Sequence, residues 1–428
     1  MAKTIKVDYL TRVEGEGALT IRFKGDTPSA VELSIFEPPR FFEAFLRTRT
    51  LFEVPDIVAR ICGICPVAYQ MSACHALEDA LGIRVDGQLR ALRRLLYCGE
   101  WIESHGLHAF MLHAPDFLGY PDAMAMAKDH RAWVARGLGI KKSGNAIVSA
   151  LGGREIHPIN VRVGGFYRVP TKNELEALLA PLENALRDTE EAVRWFATFE
   201  YPDFERDYEF VALRHPDEYP FCEGRIVSNK GLDLDVHDVD STLIEEHVAH
   251  STALQAYVRG RADYFCGPLA RFNNNEDKLG ARARDLAHEI GFVAPIKNPY
   301  KSLIARGIEL VQALDEAIRI IRAYERPEKP ALDVTPKAGI GYGCTEAPRG
   351  ILWHRYTIDD AGLITDARIV PPTSQNQKCI EQDLWLVAPT LASMNHSAAT
   401  KRAEQTVRNY DPCISCSTHF LKLTIERD

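Results

Sequence analysis

Two pairs of cysteines, one near each end of the chain, constrain its fold more than any other feature. The first stands in Arg60-Ile61-Cys62-Gly63-Ile64-Cys65-Pro66, the second in Asp411-Pro412-Cys413-Ile414-Ser415-Cys416-Ser417-Thr418-His419. Each has the Cys-x-x-Cys spacing that lets two thiolates converge on one metal from a single turn, and two such pairs make a tetrathiolate site. A zinc ribbon sets its pairs roughly 15–20 residues apart. Here about 350 residues intervene, so loop closure costs more entropy, and the site is expected at the centre of the molecule rather than as a local clip. Spacing alone leaves structural zinc as an alternative.

At 428 residues the chain can bury a large core, and its length suggests two or three domains. The formal charge of −8 argues against a nucleic-acid surface. Ten cysteines without a secreted-domain pattern read as reduced thiols, two pairs of them placed for metal. No window offers about twenty apolar residues in a row, so no helix is expected to span a membrane. Met1-Ala2-Lys3-Thr4 opens the chain without a signal peptide, and a cytoplasmic protein is expected.

Apolar residues alternate through Ile5, Val7 and Tyr9, then Leu19, Ile21 and Phe23, then Val31, Leu33 and Ile35, which predicts a small antiparallel sheet. Between the first two strands Glu14 and Glu16 stand among glycines, where a solvated turn is the plain reading. Glu43 lies in an aromatic stretch, either at the solvent edge of an amphipathic helix or buried deliberately. After Cys65 the pattern turns helical, from Pro66 through Val67, Met71, Cys74, Leu77 and Leu81 to a stop at Gly82. Cys65 is thus expected at a helix N-terminus, where the dipole favours a thiolate, and Cys74 on the apolar face. A second helix is predicted over 87–113, ending in His105, His108, His113 and Asp116. Further helices are expected around 173–199, 239–258, 278–290 and 301–325, with Asn273-Asn274-Asn275 as a turn. From 332 the pattern returns to strands. Gly339-Ile340-Gly341-Tyr342-Gly343 lacks the dinucleotide-loop spacing and leads into a strand, so it is not a nucleotide motif. A last helix is expected to run into Asp411.

The cysteine motifs resemble the two metal-binding motifs of the nickel–iron hydrogenase large subunit, and the resemblance runs from Thr11 to His419. It is nearest to the cytoplasmic branch that exchanges electrons with NAD(P), which includes the sulfhydrogenases. It implies a mainly α fold with small antiparallel β pieces (α+β), built as a long-helix bundle. As one compact unit, residues 1–60 would form a β-rich segment, 61–331 a helical core, 332–376 a second β-rich segment, and 377–428 a C-terminal helix and metal-binding tail. The implied activity is reversible heterolytic cleavage of H2 at a nickel–iron centre whose iron carries CO and two CN ligands. Cys62 and Cys413 would be terminal on nickel, while Cys65 and Cys416 would also bridge to iron. Arg12-Val13-Glu14-Gly15 matches a family motif whose glutamate lies beside the nickel, so Glu14 would relay protons; Glu16 falls where many respiratory relatives have histidine. Glu43, the Ile369 carbonyl and His419 would hold a magnesium (or ferrous) ion. Asp116 would stand behind the metal ligands. Arg349, in Ala347-Pro348-Arg349-Gly350, would overhang the iron, and Ile369 to Asn376 would be a loop packed round the diatomic ligands, with Thr373 bonding a cyanide. Pro348 and Asp411, from the same motifs, would line that cofactor pocket. Cys413 is favoured over Arg349 as the first proton acceptor, because a guanidinium pKa exceeds about 12.

Beyond the four ligands, Cys74, Cys98, Cys222, Cys266, Cys344 and Cys379 remain, and no two are spaced for an iron–sulfur cluster. Electrons are therefore expected to leave through an iron–sulfur small subunit. The resembled branch adds diaphorase-type subunits that carry iron–sulfur clusters, FAD and the NAD(P) site. Two alternatives stand beside this reading: a complex I-like redox subunit without hydrogen chemistry, and a scaffold protein with structural zinc. The family's large subunit is trimmed behind the second cysteine motif. Here Phe420 to Asp428 follow His419, and their buriable Phe420, Leu421, Leu423 and Ile425 lead us to expect that cleavage falls later.

Overall fold

The computed structural model describes residues 3–36 and 41–417. The opening alternation gives an antiparallel sheet in the order β1 (Lys3–Val7), β2 (Gly17–Lys24), β3 (Thr27–Ile35), registered Ile5 against Ile21 and Leu19 against Leu33. A short helix, α1 (Phe42–Leu46), comes next. Helix α2 (Pro66–Leu81) starts on Pro66 and stops where Gly82 takes φ 65° and returns its N–H to the last turn, as its sequence predicts. Asp86 caps α3 (Gly87–Leu107), which a π-helical turn prolongs to His113. α4 (Arg131–Gly152) crosses α3 so closely that a Cβ on Gly144 would lie 2.6 Å from both Gly99 O and Glu103 N. α5 (Leu179–Ala197), α6 (Pro268–Asn275) and α7 (Ser302–Arg322) complete the helical centre, and Leu92, Ile102, Ile147, Phe196 and Leu310 are buried among them.

A second antiparallel sheet, β4 (Gly339–Ala347), β5 (Gly350–Ile358) and β6 (Ile364–Val370), packs on α2. A Cβ on Gly339, Gly341 or Gly343 would fall 2.7, 2.0 or 2.4 Å from the carbonyls of Ala80, Ala76 and Ser72. Three glycines at the strand period therefore let the strand's backbone lie directly on the helix's, which is their purpose in place of phosphate binding. The chain closes with α8 (Pro372–Ala392), α9 (His396–Arg408) and α10 (Ile414–Ser417). The fold is mainly α with small antiparallel sheets, and no helix among the described residues is long and apolar enough to cross a membrane.

Three local expectations are corrected. Of the helix expected over 239–258 only Val239–Thr242 is helical, and Leu243–His247 pairs antiparallel with Leu254–Val258. Apolar spacing there suits either structure, and β3 decides it: Thr252 N–H donates to Ile35 O at 2.8 Å, and Ile35 N–H to Ser251 Oγ at 3.3 Å. Asn273-Asn274-Asn275 is the last turn of α6, not a free turn. Its amides reach the carbonyls of Ile296, Phe210 and Leu213 and so bridge the helix to its neighbours. The segment after Ile369 is not a loop, because Pro372 starts α8 two residues beyond the end of β6. His419 and the tail behind it lie outside the described residues.

Candidate metal centre

Both cysteine pairs sit at helix starts. Cys62 precedes α2 and Cys65 occupies its N-cap, while the N–H groups of Ile64 and Cys65 donate to Cys62 Sγ at 3.3 and 3.1 Å. Cys413 immediately precedes α10 and Cys416 lies within it. That turn is stitched to the other end of the chain, since Ile414 N–H donates to Glu14 O at 2.9 Å. The result brings all four sulfurs within 4.8 Å of one another, buried. Cys62 Sγ lies 3.5 Å from Cys413 Sγ, Cys65 Sγ 3.8 Å from Cys416 Sγ, and Cys413 Sγ 3.0 Å from Cys416 Sγ.

Four thiolates at these distances repel one another in a medium that screens poorly. The protonation pattern shows it. Cys413 is driven well above the ordinary thiol value, by Cys416, Cys62 and Cys65 first and by burial next. Burial raises Cys62 too, but hydrogen bonds with Cys413, Cys416 and Cys65 outweigh it and hold that thiol well below the ordinary value. Full ionisation requires a cation among them, and four soft donors suit a thiophilic metal such as zinc, iron or nickel.

Glu14 Oε2 accepts from Cys413 Sγ at 3.1 Å. Its side chain is half-buried, while Glu16 is exposed. Arg349 is buried, donating Nε to Asp411 O at 2.6 Å and Nη2 to Asp411 Oδ1 at 3.2 Å. Burial lowers its pKa, but Asp411 and the thiols Cys413, Cys65 and Cys62 outweigh that and keep it well above its usual value. Arg349 Nη1 and Asp411 Oδ2 are buried without a partner, as they would be around a guest that supplies polar atoms. Thr373, buried in the first turn of α8, accepts from Cys413 N–H at 3.1 Å. The Pro348 carbonyl faces Arg271.

Ile369 N–H donates to Glu43 Oε1 at 2.7 Å, so two of the residues expected at the magnesium site adjoin through the amide of Ile369 rather than its carbonyl. Asp116 pairs with Arg12 and, at 2.7 and 2.8 Å, with Arg408, tying the segment before Glu14 to the one before Cys413. Of the three histidines near it, burial lowers all, His105 to about 4, so they stand neutral.

Two residues beside the cluster escaped the sequence reading. Tyr69 lies one helical turn past Cys65, and its phenol is pushed up by burial and by Cys416, Cys65 and Cys62; its i+4 spacing was the available signal. Glu100 reaches from α3 to accept Val67 N–H at 2.6 Å and Ala68 N–H at 3.1 Å, capping α2 from outside. Nothing local in the sequence marks it.

A protein-family model described as nickel-dependent hydrogenase matches residues 40–138 and 271–419. The chain belongs to the nickel-dependent hydrogenase family. Among hydrogenase relatives, the alpha subunit of sulfhydrogenase 2 from Pyrococcus furiosus is 35% identical over 98% of this chain and 100% of that one. The alpha subunit of sulfhydrogenase 1 from the same organism is 33% identical over 98% of both. The crystal structure of an NAD+-reducing NiFe hydrogenase in the H2-reduced state matches with a TM-score of 0.88 at 27% identity, over 97% of this chain and 99% of that chain. This chain is a nickel–iron hydrogenase catalytic subunit, and Cys62, Cys65, Cys413 and Cys416 match the nickel–iron site.

Proposed function

We propose that this hydrogenase subunit splits H2 heterolytically, with Cys413 taking the proton, Glu14 carrying it off, and the electrons passing to an NAD(P)-linked partner assembly. The observation that carries the reading is the 3.1 Å contact between Cys413 Sγ and Glu14 Oε2 at the edge of the four-thiol cluster. When bound, the nickel–iron centre supplies a Lewis acid and a sink for two electrons. Cys62 and Cys413 would hold nickel alone and Cys65 and Cys416 both metals, with Pro348, Arg349, Thr373 and Asp411 around the CO and CN ligands. Glu43, Ile369 O and His419 would hold a magnesium or ferrous ion nearby.

Arg349 stays protonated, so it orients and polarises rather than accepting a proton. Cys413 Sγ lies against the Glu14 carboxylate at the edge of the cluster, which makes it the thiolate placed to take the proton and hand it on. Glu14, half-buried with the Cys413 thiol against one carboxylate oxygen, is placed to receive that proton and pass it on. The names of the relatives support the partner assignment: two are alpha subunits of larger enzymes and one solved neighbour reduces NAD+. On this reading an iron–sulfur small subunit takes the electrons and diaphorase-type subunits with FAD deliver them to NAD(P), in the cytoplasm.

Glu14→Gln tests the reading. An amide of the same shape can hydrogen-bond but cannot titrate. Nickel, iron and the carbonyl and cyanide infrared bands should stay near those of the parent, while H2 turnover and solvent isotope exchange fall by on the order of 10²-fold. Full isotope exchange in a metal-replete variant would remove Glu14 from the route and direct attention to Glu16 or Asp116.

A further inference from the structure

Behind the turn that carries Arg349 lies a charged group that the reaction does not use directly. Arg271, on α6, is 0% exposed. All five of its N–H donors are engaged. Nε and Nη2 grip Glu309 at 2.7 and 2.8 Å, and Nη1 reaches Glu346 Oε2 at 2.8 Å. The remaining two donors go to the carbonyls of Ala347 and Pro348, each at 2.9 Å. Those are the two residues immediately before Arg349.

The support is itself supported. Glu309 also accepts from Tyr219 OH at 2.8 Å and meets His105 Nε2 at 2.9 Å. Glu346 accepts from Leu213 N–H at 2.7 Å, and the guanidinium lies 4.2 Å over the Trp101 ring. The start of α6 grips the same turn a second time. Gly267 takes φ +119°, and a Cβ there would lie 2.9 Å from Arg349 O. A buried ionic network of this kind is matched in stability by well-packed apolar residues. What apolar residues cannot do is fix a carbonyl's direction, since only a planar fork of donors is both rigid and directional.

We propose that Arg271 is the positioning residue that sets the attitude of Arg349 over the metal centre, with Glu309 and Glu346 as its footing. The proposal rests on the reading above that Arg349 faces the reaction. Loosening the fork lets the Ala347–Pro348 carbonyls rotate and Arg349 swing away from Asp411. Misplacement by about 1 Å is enough to cost up to 10²-fold in rate.

The experiment compares Arg271→Lys, Glu309→Gln and Arg349→Lys in the assembled, metal-loaded enzyme. Arg93→Lys is the control, because it breaks another buried fork, to Glu78 at 2.8 and 2.6 Å, that shares no partner with Arg271. Nickel and iron content, thermal midpoint, carbonyl and cyanide infrared bands and H2 turnover are read together. Arg271→Lys should keep its metals, shift the bands in the same direction as Arg349→Lys, and lose about 10-fold or more in turnover. Arg93→Lys should lower the midpoint without moving the bands. Should Arg271→Lys fail to fold, Glu309→Gln, which weakens the fork from its far side, should show the same band shift in smaller measure. A metal-replete Arg271→Lys or Glu309→Gln with the parent's bands and turnover overturns the proposal. Unchanged bands and turnover in Arg349→Lys would instead overturn the reading of Arg349, which keeps the two failures apart.

Discussion

Exchanging the sulfur of Cys416 for oxygen alters shape little and chemistry greatly. A serine alkoxide is a hard donor and disfavours a soft thiolate site, so Cys416→Ser should lose most of its nickel while retaining the fold. Metal analysis beside circular dichroism checks it, and full nickel with normal turnover would refute the ligand assignment. Glu103, 8% exposed and 4.0 Å from Lys141 Nζ, makes a second prediction. Burial, against Lys141, pushes its carboxyl up from 4.5 to about 8. A group whose folded pKa is raised stabilises fully below its unfolded value and loses that contribution as pH climbs through the folded one. The thermal midpoint should therefore drift down between about pH 5 and 8, and Glu103→Gln should flatten that drift; parallel profiles would count against it. The cysteines, Glu14 and Arg349 were legible because each belongs to a short motif whose neighbours are fixed by the chain. Glu100 and Arg271 were not, because their partners arrive from 32 and 76 residues away.

At the scale of elements, the contact of β4 with α2 makes a sharp claim. A methyl on Gly341 would sit 2.0 Å from Ala76 O, backbone against backbone. Gly341→Ala should cost about 3 kcal/mol, and because α2 carries Cys65 on its N-terminus, metal retention should fall with it. Gly139, inside α4 with nothing within 4 Å, gives the opposite case: its alanine variant should gain up to about 1 kcal/mol from helix propensity. Denaturant unfolding of the pair decides both. Long helices such as α2 and α7 were readable from apolar spacing and their stop signals. Leu243–Val258 was not, because its apolar spacing suits helix and hairpin alike, and the bonds from Ile35 of β3 to Ser251 and Thr252 that hold the connection come from far along the chain. The start of α8 was masked by Pro371-Pro372, which suits a loop and a helix's first turn alike.

For the whole molecule, the cluster is a joint between the chain's two extremities. Arg408 donates to Thr11 O at 2.8 Å, and Glu404 accepts from Thr11 N–H and Oγ1 at 2.9 Å, so polar contacts hold the same seam beside the sulfurs. Stripping the metal should therefore loosen the seam without melting the centre. Amide exchange should quicken over residues 3–16 and 396–417, while α3 and α7, buried along most of their length, stay slow. Uniform quickening would show instead that the metal holds the entire fold. The same joint also has a direction in time. Cys62 and Cys413 are 351 positions apart, and at about 5–20 residues per second a ribosome needs roughly 20–70 s to cover that interval. Throughout it the first pair is a bidentate trap open to zinc or oxidation, with its true partners still unmade. Correct loading is thus a problem of waiting as much as of affinity, and a cell that makes this chain must guard the early thiols until the late ones emerge.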